Sequence, residues 1–151
     1  VQTDAKGLGW LMAASGLGAI AGAFFTAATG GDRRGSIWLF SVIVGAIGVG
    51  ALGLTDRFGL AAVFLVVIGL ATMSFIGSSN ILLQTLAPDD MRGRAISVYS
   101  MIILGLVPLG SLIVGALATW LELRWTFVLG GAISVVFALW IALTQRAVRE
   151  A

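Results

Sequence analysis

The chain of 151 residues contains no cysteine and no histidine. Their absence excludes a disulfide framework, thiol chemistry and the usual zinc, haem or imidazole-based sites. Charge is also scarce, because charged residues make up 11% of the chain, against roughly 25% in a soluble domain. We therefore expect no metal and no cofactor. We also expect no nucleic acid partner, since the formal net charge is only +2.

Hydrophobic residues are in excess, at 59% of the chain with a mean hydropathy of +1.06. They form long uncharged runs, each able to cross a hydrocarbon core about 30 Å thick as a helix. A charge at the centre of such a helix costs roughly 2.5–3.5 kcal/mol, and every charge lies between or outside the runs. The predicted fold is an all-α membrane protein with five transmembrane helices, over residues 8–29, 36–54, 58–86, 95–121 and 125–145.

The stretch GLGAIAG, residues 16–22, carries glycines in an order that resembles a dinucleotide-binding loop. Such a loop follows a β-strand and opens a helix, so that a pyrophosphate can approach the backbone. Here the glycines lie inside the first predicted membrane helix, and neither condition holds. We interpret Gly18 and Gly22, four residues apart on one face, as a packing surface for another helix.

Polar residues within the spans concentrate on the third helix. An unpartnered amide is costly in hydrocarbon, so Asn80 and Gln84, which share a helix face, should face other helices or water. They either line a solute cavity or hydrogen-bond across a helix interface, the latter being worth about 0.6 kcal/mol on average. The candidates for a substrate cavity are Thr72, Ser74, Asn80 and Gln84.

Pro108 lies near the middle of the fourth span, between Gly105 and Gly110. Proline removes a backbone donor and clashes with the preceding turn, so this segment should bend the helix. Such a bend can serve a protein that moves between two shapes, or it can simply fit the neighbouring helices.

Four charged residues, Asp89, Asp90, Arg92 and Arg94, connect the third and fourth spans. Either aspartate can cap the first amides of the fourth helix. The helix dipole disfavours arginine in the first turn, so the guanidinium groups should be held by carboxylates, carbonyl ends of helices or lipid phosphates. The four residues are candidates for an ion-pair latch at the cytoplasmic face; the alternative is that they only signal topology.

The distribution of basic residues predicts the orientation. If the helices alternate in direction, six arginines lie on one side, and one lysine with two arginines lies on the other. The positive-inside rule places the first group in the cytoplasm. The C-terminus of the chain is therefore predicted to be cytoplasmic.

The segment NILLQTLAPDDMRGRAISVYSMIILGLVPLGSLIVGALA, residues 80–118, resembles the tenth and eleventh helices of major facilitator superfamily exporters, within the drug and siderophore efflux branch that includes the enterobactin exporter. LGWLMAASGLGAIAGAFF is similar to the eighth helix of that branch. GGDRRG falls where the loop between helices eight and nine carries a basic motif, although it lacks the longer G-x-x-x-D-R-x-G-R-R form.

The resemblance implies that the five spans are helices eight to twelve of a twelve-helix carrier. It also implies that the protein is integral to the plasma membrane, the inner membrane of a bacterium. The chain is then a partial C-terminal helical bundle, and its partners are the lipid bilayer, a small-molecule substrate and the missing N-terminal half of the same carrier. The implied function is secondary active transport, the efflux of small amphipathic compounds such as drugs or siderophores by alternating access.

Two other classes of function are alternatives to transport. An enzyme is not expected and no catalytic residue is assigned, because the spans contain no paired carboxylates, no metal motif and no nucleophile beside a base. The alternative function is a small structural or assembly module of membrane helices without transport activity. That alternative accounts for the glycines equally well, but less well for the polar third span and the charged loop.

Overall fold

A computed structural model of the chain describes residues 4–29 and 34–144. Most of the GGDRRG segment and the arginines after residue 144 lie outside the described residues. Four helices are formed: α1 over Ala5–Ala28, α2 over Arg34–Leu54, α3 over Phe58–Leu86 and α4 over Arg92–Thr144. Each is long and apolar enough to cross a membrane. For the described residues the all-helical membrane fold is confirmed.

The predicted number of five helices is not matched, because the residues of the fourth and fifth predicted spans form two helical segments that join across a kink as α4, of 53 residues. The linker between those spans, residues 122–124, contains neither proline nor glycine and is only three residues long, so no separate loop forms between them. Only Glu122 departs from helical backbone angles within α4, with φ 63° and ψ 147°, and it kinks the helix there. A straight α4 would measure about 80 Å, more than twice the hydrocarbon core of about 30 Å.

Local signals explain where the helices begin and end. The Asp4 carboxylate accepts a hydrogen bond from the Gly7 amide at 3.0 Å and caps α1. Helix α3 ends before Pro88, because the residue preceding a proline avoids the helical region. Ala87 accordingly has an extended ψ of 134°.

The helices pack in the spatial order α1, α3, α2, α4. Helix α3 lies between α1 and α2, and α2 also packs against α4. Within the described residues, no Cα atom of α1 lies within 8 Å of a Cα atom of α2 or α4. The buried residues of α4 are Thr126, Gly131 and Ala138, all of which follow the kink. The segment of α4 before Glu122 is therefore the least packed part of the described bundle.

Glycines bring the helices close together. Gly18 and Gly22 are buried against α3, where an added Cβ atom would collide with the backbone of Val66 and Leu70 respectively. Between α2 and α4, a Cβ on Gly131 would lie 2.7 Å from the carbonyl oxygen of Ala46. The interpretation of Gly18 and Gly22 as a packing surface is therefore confirmed.

The core of the bundle is made of small side chains. Its buried hydrophobic residues are alanines, and its largest fully buried side chains are Ser74 and Ser78. Large apolar side chains point outwards instead, as Trp10, Phe24 and Leu104 do with more than 70% of their surface exposed. A bilayer accounts for this distribution, because lipid tails solvate large apolar groups while close helix packing needs small ones.

Candidate functional site

Buried serines connect α3 to both neighbouring helices. The Ser74 hydroxyl donates a hydrogen bond to the Gly22 carbonyl oxygen of α1 at 3.3 Å. On the other side, the indole Nε1–H of Trp38 in α2 donates to the Ser79 oxygen at 2.9 Å. Both bonds satisfy polar groups that would be costly in hydrocarbon. The polar residues of α3 thus fix its position between α1 and α2.

An open cavity of about 490 Å³ lies between α2, α3 and the part of α4 after the kink. Its aromatic and hydroxyl-bearing lining residues are Trp38, Ser41, Thr72, Phe75, Ser134 and Phe137. The Trp38 and Phe75 rings lie 5.4 Å apart between centroids and are tilted by 40°. None of the residues that line the cavity is charged.

The structure does not bring the four predicted substrate-cavity residues together around one cavity. Thr72 lines the cavity just described. Ser74 is buried and lines a smaller cavity of about 170 Å³ beside α1. Two helical residues two positions apart point to opposite sides, which explains the separation.

Asn80 and Gln84 lie nearer the end of α3. The Asn80 side chain is half-buried, and its amide nitrogen donates to the Ile76 carbonyl oxygen of the same helix at 3.1 Å. Gln84 is exposed. Their assignment to a substrate path remains a prediction.

The charged loop forms one ion pair among the described residues. An Arg92 guanidinium nitrogen lies 2.6 Å from an Asp89 carboxylate oxygen. The Arg92 and Asp89 side chains are 45% and 91% exposed, so the pair contributes about 0.2–1 kcal/mol. Asp90 and Arg94 are exposed and make no ion pair with a described residue. The pair joins neighbouring turns of one segment rather than two helices, and a latch function remains a prediction.

The predicted bend residues lie in the segment of α4 before the kink. Gly105, Pro108 and Gly110 are exposed, and their backbone angles are helical. The departure from helical angles is instead at Glu122. Glu122 and Arg124, two residues apart at the kink, do not form an ion pair with each other. A bend at Pro108 remains a prediction.

Sequence reasoning missed the contribution of α2 and of the end of α4 to a cavity. Trp38 and Ser79 are 41 residues apart, and no local pattern links them. Trp38 was a weak signal, because its polar N–H group lies within the predicted second span. The Tyr99 hydroxyl was also missed: it is buried and has no hydrogen-bond partner among the described residues.

Long apolar helices and a core of small residues, buried serines among them, define the class of protein. It is an integral membrane protein of several spanning helices, in contact with lipid. More specifically, the chain belongs to the Major Facilitator Superfamily, because a sequence model of that family matches residues 2–151. No curated protein and no solved structure matches the chain.

Family membership confirms the resemblance at the level of the superfamily. It makes the protein a transporter of the major facilitator type, and it agrees with the expectation that the chain is not an enzyme. It does not favour the alternative of a structural module without transport activity.

Proposed function

We propose that the protein is a secondary active transporter that exports small amphipathic compounds by alternating access. The observation that carries the proposal is the family match over residues 2–151. The sequence resemblance to the drug and siderophore efflux branch supports the direction and the class of substrate. The uncharged cavities among the helices are consistent with apolar compounds.

Alternating access needs two helix bundles that rock about a central site. We propose that this chain supplies five membrane crossings, two of them within the kinked helix α4, and that a second, N-terminal bundle completes the carrier. The weak packing of α4 before Glu122 supports this assignment, because that segment is exposed along nearly all of its length. The C-terminus of the chain is then cytoplasmic, and in a bacterium the membrane is the inner membrane.

Thr72, Ser74, Asn80 and Gln84 are proposed to contribute to the substrate path. Support comes from the exposed side chain of Gln84 and the partial exposure of Asn80, since amides turned towards a water-filled path avoid the cost of facing lipid. The loop residues Asp89, Asp90, Arg92 and Arg94 are proposed to stabilise the state that is closed on the cytoplasmic side.

The test is transport by the complete carrier in proteoliposomes. Ethidium, a fluorescent amphipathic cation, and a catecholate siderophore serve as probes, with and without an imposed proton gradient. Gradient-dependent movement of either probe supports the proposal. Asn80→Ala and Gln84→Ala should lower the rate, whereas Thr85→Val, on another face of α3, serves as the matched control. A carrier that moves neither probe under any gradient would argue against efflux of amphipathic compounds.

A further inference from the structure

We propose that the cavity between α2, α3 and the end of α4 is a binding site for an uncharged aromatic molecule that carries an N–H or O–H donor. The proposal concerns binding, which can be measured without transport. Its basis is the chemistry of the cavity wall.

The absence of charge from the wall selects an uncharged ligand. None of the residues that line the cavity is acidic or basic. An ion that enters an apolar site without a partner pays a large desolvation cost, whereas a neutral molecule does not. Carboxylates, phosphates and ammonium groups are therefore disfavoured.

Aromatic rings and volume favour an aromatic ligand of moderate size. Trp38 and Phe75 form a tilted pair at one end, and Phe137 lies on α4. Such rings favour offset or edge-to-face contacts with another aromatic system. A volume of about 490 Å³ falls within the range of roughly 300–1,000 Å³ usual for ligand pockets.

The hydroxyl groups in the wall present mainly acceptors. The Ser41 hydroxyl donates its proton to the Ile37 carbonyl oxygen at 2.7 Å. Thr72 likewise donates to the Ile68 carbonyl oxygen at 2.8 Å. A hydroxyl has one proton, so both oxygens retain only acceptor capacity. A ligand with an N–H or O–H group matches this wall, whereas a lipid acyl chain contacts its apolar part but has no donor for these acceptors.

The cavity is open, so a ligand can enter it. Ser41, Ala46 and Ala71 are buried and form the floor. Gly130 and Ser134 lie on the exposed rim formed by α4. A substitution at Gly130 can fill the site without a clash, because a Cβ atom added there meets nothing within 4 Å.

The experiment uses carbazole and fluorene as a matched pair of probes. Both are neutral tricyclic aromatics of nearly the same shape, but only carbazole has an N–H donor. Binding of each is measured by equilibrium dialysis with the full-length protein in nanodiscs of phosphatidylethanolamine and phosphatidylglycerol, and binding to empty nanodiscs is subtracted. Saturable binding of one carbazole per protein, tighter than that of fluorene, is expected.

Three variants test whether carbazole binds in the cavity or elsewhere on the protein. Gly130→Leu fills the cavity and should weaken carbazole binding by about tenfold or more. Gly115→Leu is the matched control, because an added Cβ there also meets nothing within 4 Å and Gly115 does not line the cavity; it should leave affinity unchanged. Thr72→Val removes one acceptor and should weaken carbazole binding roughly two- to tenfold while leaving fluorene unaffected.

Several outcomes overturn the proposal. They are the absence of saturable carbazole binding, equal losses in Gly130→Leu and Gly115→Leu, and equal affinity for the two probes in both the natural protein and Thr72→Val. Phospholipid that copurifies with the natural protein and is lost in Gly130→Leu, without carbazole saturation, identifies a lipid chain as the occupant and also overturns it.

Discussion

At the scale of single residues, the absence of a side chain determines how closely α1 and α3 approach. Gly18 and Gly22 of α1 contact the backbone of α3, and Gly69 of α3 contacts the backbone around Ser15 of α1. The glycines are interleaved from both helices, so neither helix can accept a methyl group at the crossing. This close approach also lets Ser74 reach the Gly22 carbonyl oxygen.

Gly18→Ala is expected to destabilise the protein by about 1–3 kcal/mol, because the new methyl group overlaps the Val66 backbone and forces the helices apart. The matched control is Gly16→Ala on the same helix, where an added Cβ meets nothing within 4 Å. It should be neutral or slightly stabilising, since alanine favours the helix. Thermal unfolding in nanodiscs measures both, and equal melting temperatures would contradict the close packing.

Single residues also show how much of the candidate site could be predicted from the sequence. Helical spacing predicted that Gly18 and Gly22 share one face of α1, and the structure confirms that this face packs against α3. The partners of the α3 serines could not be predicted, because Trp38 and Gly22 lie on other helices and reach α3 only through the spatial order of the bundle. Helical spacing gives the face of a residue but not the helix opposite it.

At the scale of elements, α4 contains the main difference between sequence and structure. The uncharged runs predicted long apolar helices, and four such helices are present among the described residues. The break between the fourth and fifth predicted spans, residues 122–124, coincides with the kink at Glu122. Hydropathy could not predict that the two segments join there without a loop, because the kink depends on one pair of backbone angles. For a residue other than glycine such angles are strained, at a cost of about 1–3 kcal/mol.

Glu122→Gly should therefore raise the free energy of unfolding by about 1 kcal/mol, because glycine adopts a positive φ without steric cost. Leu121→Gly, one residue earlier in regular helix, is the control and should lower it by roughly 0.5–1 kcal/mol. Chemical denaturation in mixed micelles measures the two changes. The kink assignment fails if both substitutions destabilise the protein to the same extent.

The loop between α3 and α4 carries a prediction about transport. Arg92→Ala removes the pair with Asp89, which is worth about 0.2–1 kcal/mol. If the pair exists only in the state closed on the cytoplasmic side, as proposed, its loss changes the ratio of the two states by up to about fivefold. Transport by the complete carrier should fall and cytoplasmic accessibility should rise, with expression near normal. Arg92→Lys should rescue only partly, since lysine keeps the charge but loses the planar fork.

Arg94→Ala is the comparison, because Arg94 makes no ion pair with a described residue and its effect should be smaller. The alternative that these arginines only fix topology predicts misinsertion of the alanine variants and full rescue by lysine. Transport and membrane orientation measured on the same variants distinguish the two.

At the scale of the whole molecule, the orientation in the membrane can be tested by labelling. In a background without cysteine, single cysteines at Ser36 and Asp90 should resist an impermeant maleimide added outside intact cells. Cysteines at Asp56 and Leu123 should react, because the loop after α2 and the kink of α4 are expected on the outer face. Permeabilised cells provide the control, in which all four positions should react. External labelling of Ser36 or Asp90 would reverse the orientation.

Because the core consists of small side chains, the stability of the bundle depends little on the hydrophobic effect, which dominates the stability of soluble proteins. When a soluble domain unfolds, buried apolar surface enters water, the heat capacity rises, and the free energy of unfolding curves with temperature. Here the large apolar side chains already lie on the outside and contact lipid both before and after the helices separate. Little apolar area changes its solvent, so the free energy of helix separation should vary almost linearly with temperature, and cooling should not weaken the bundle as it weakens a hydrophobic core.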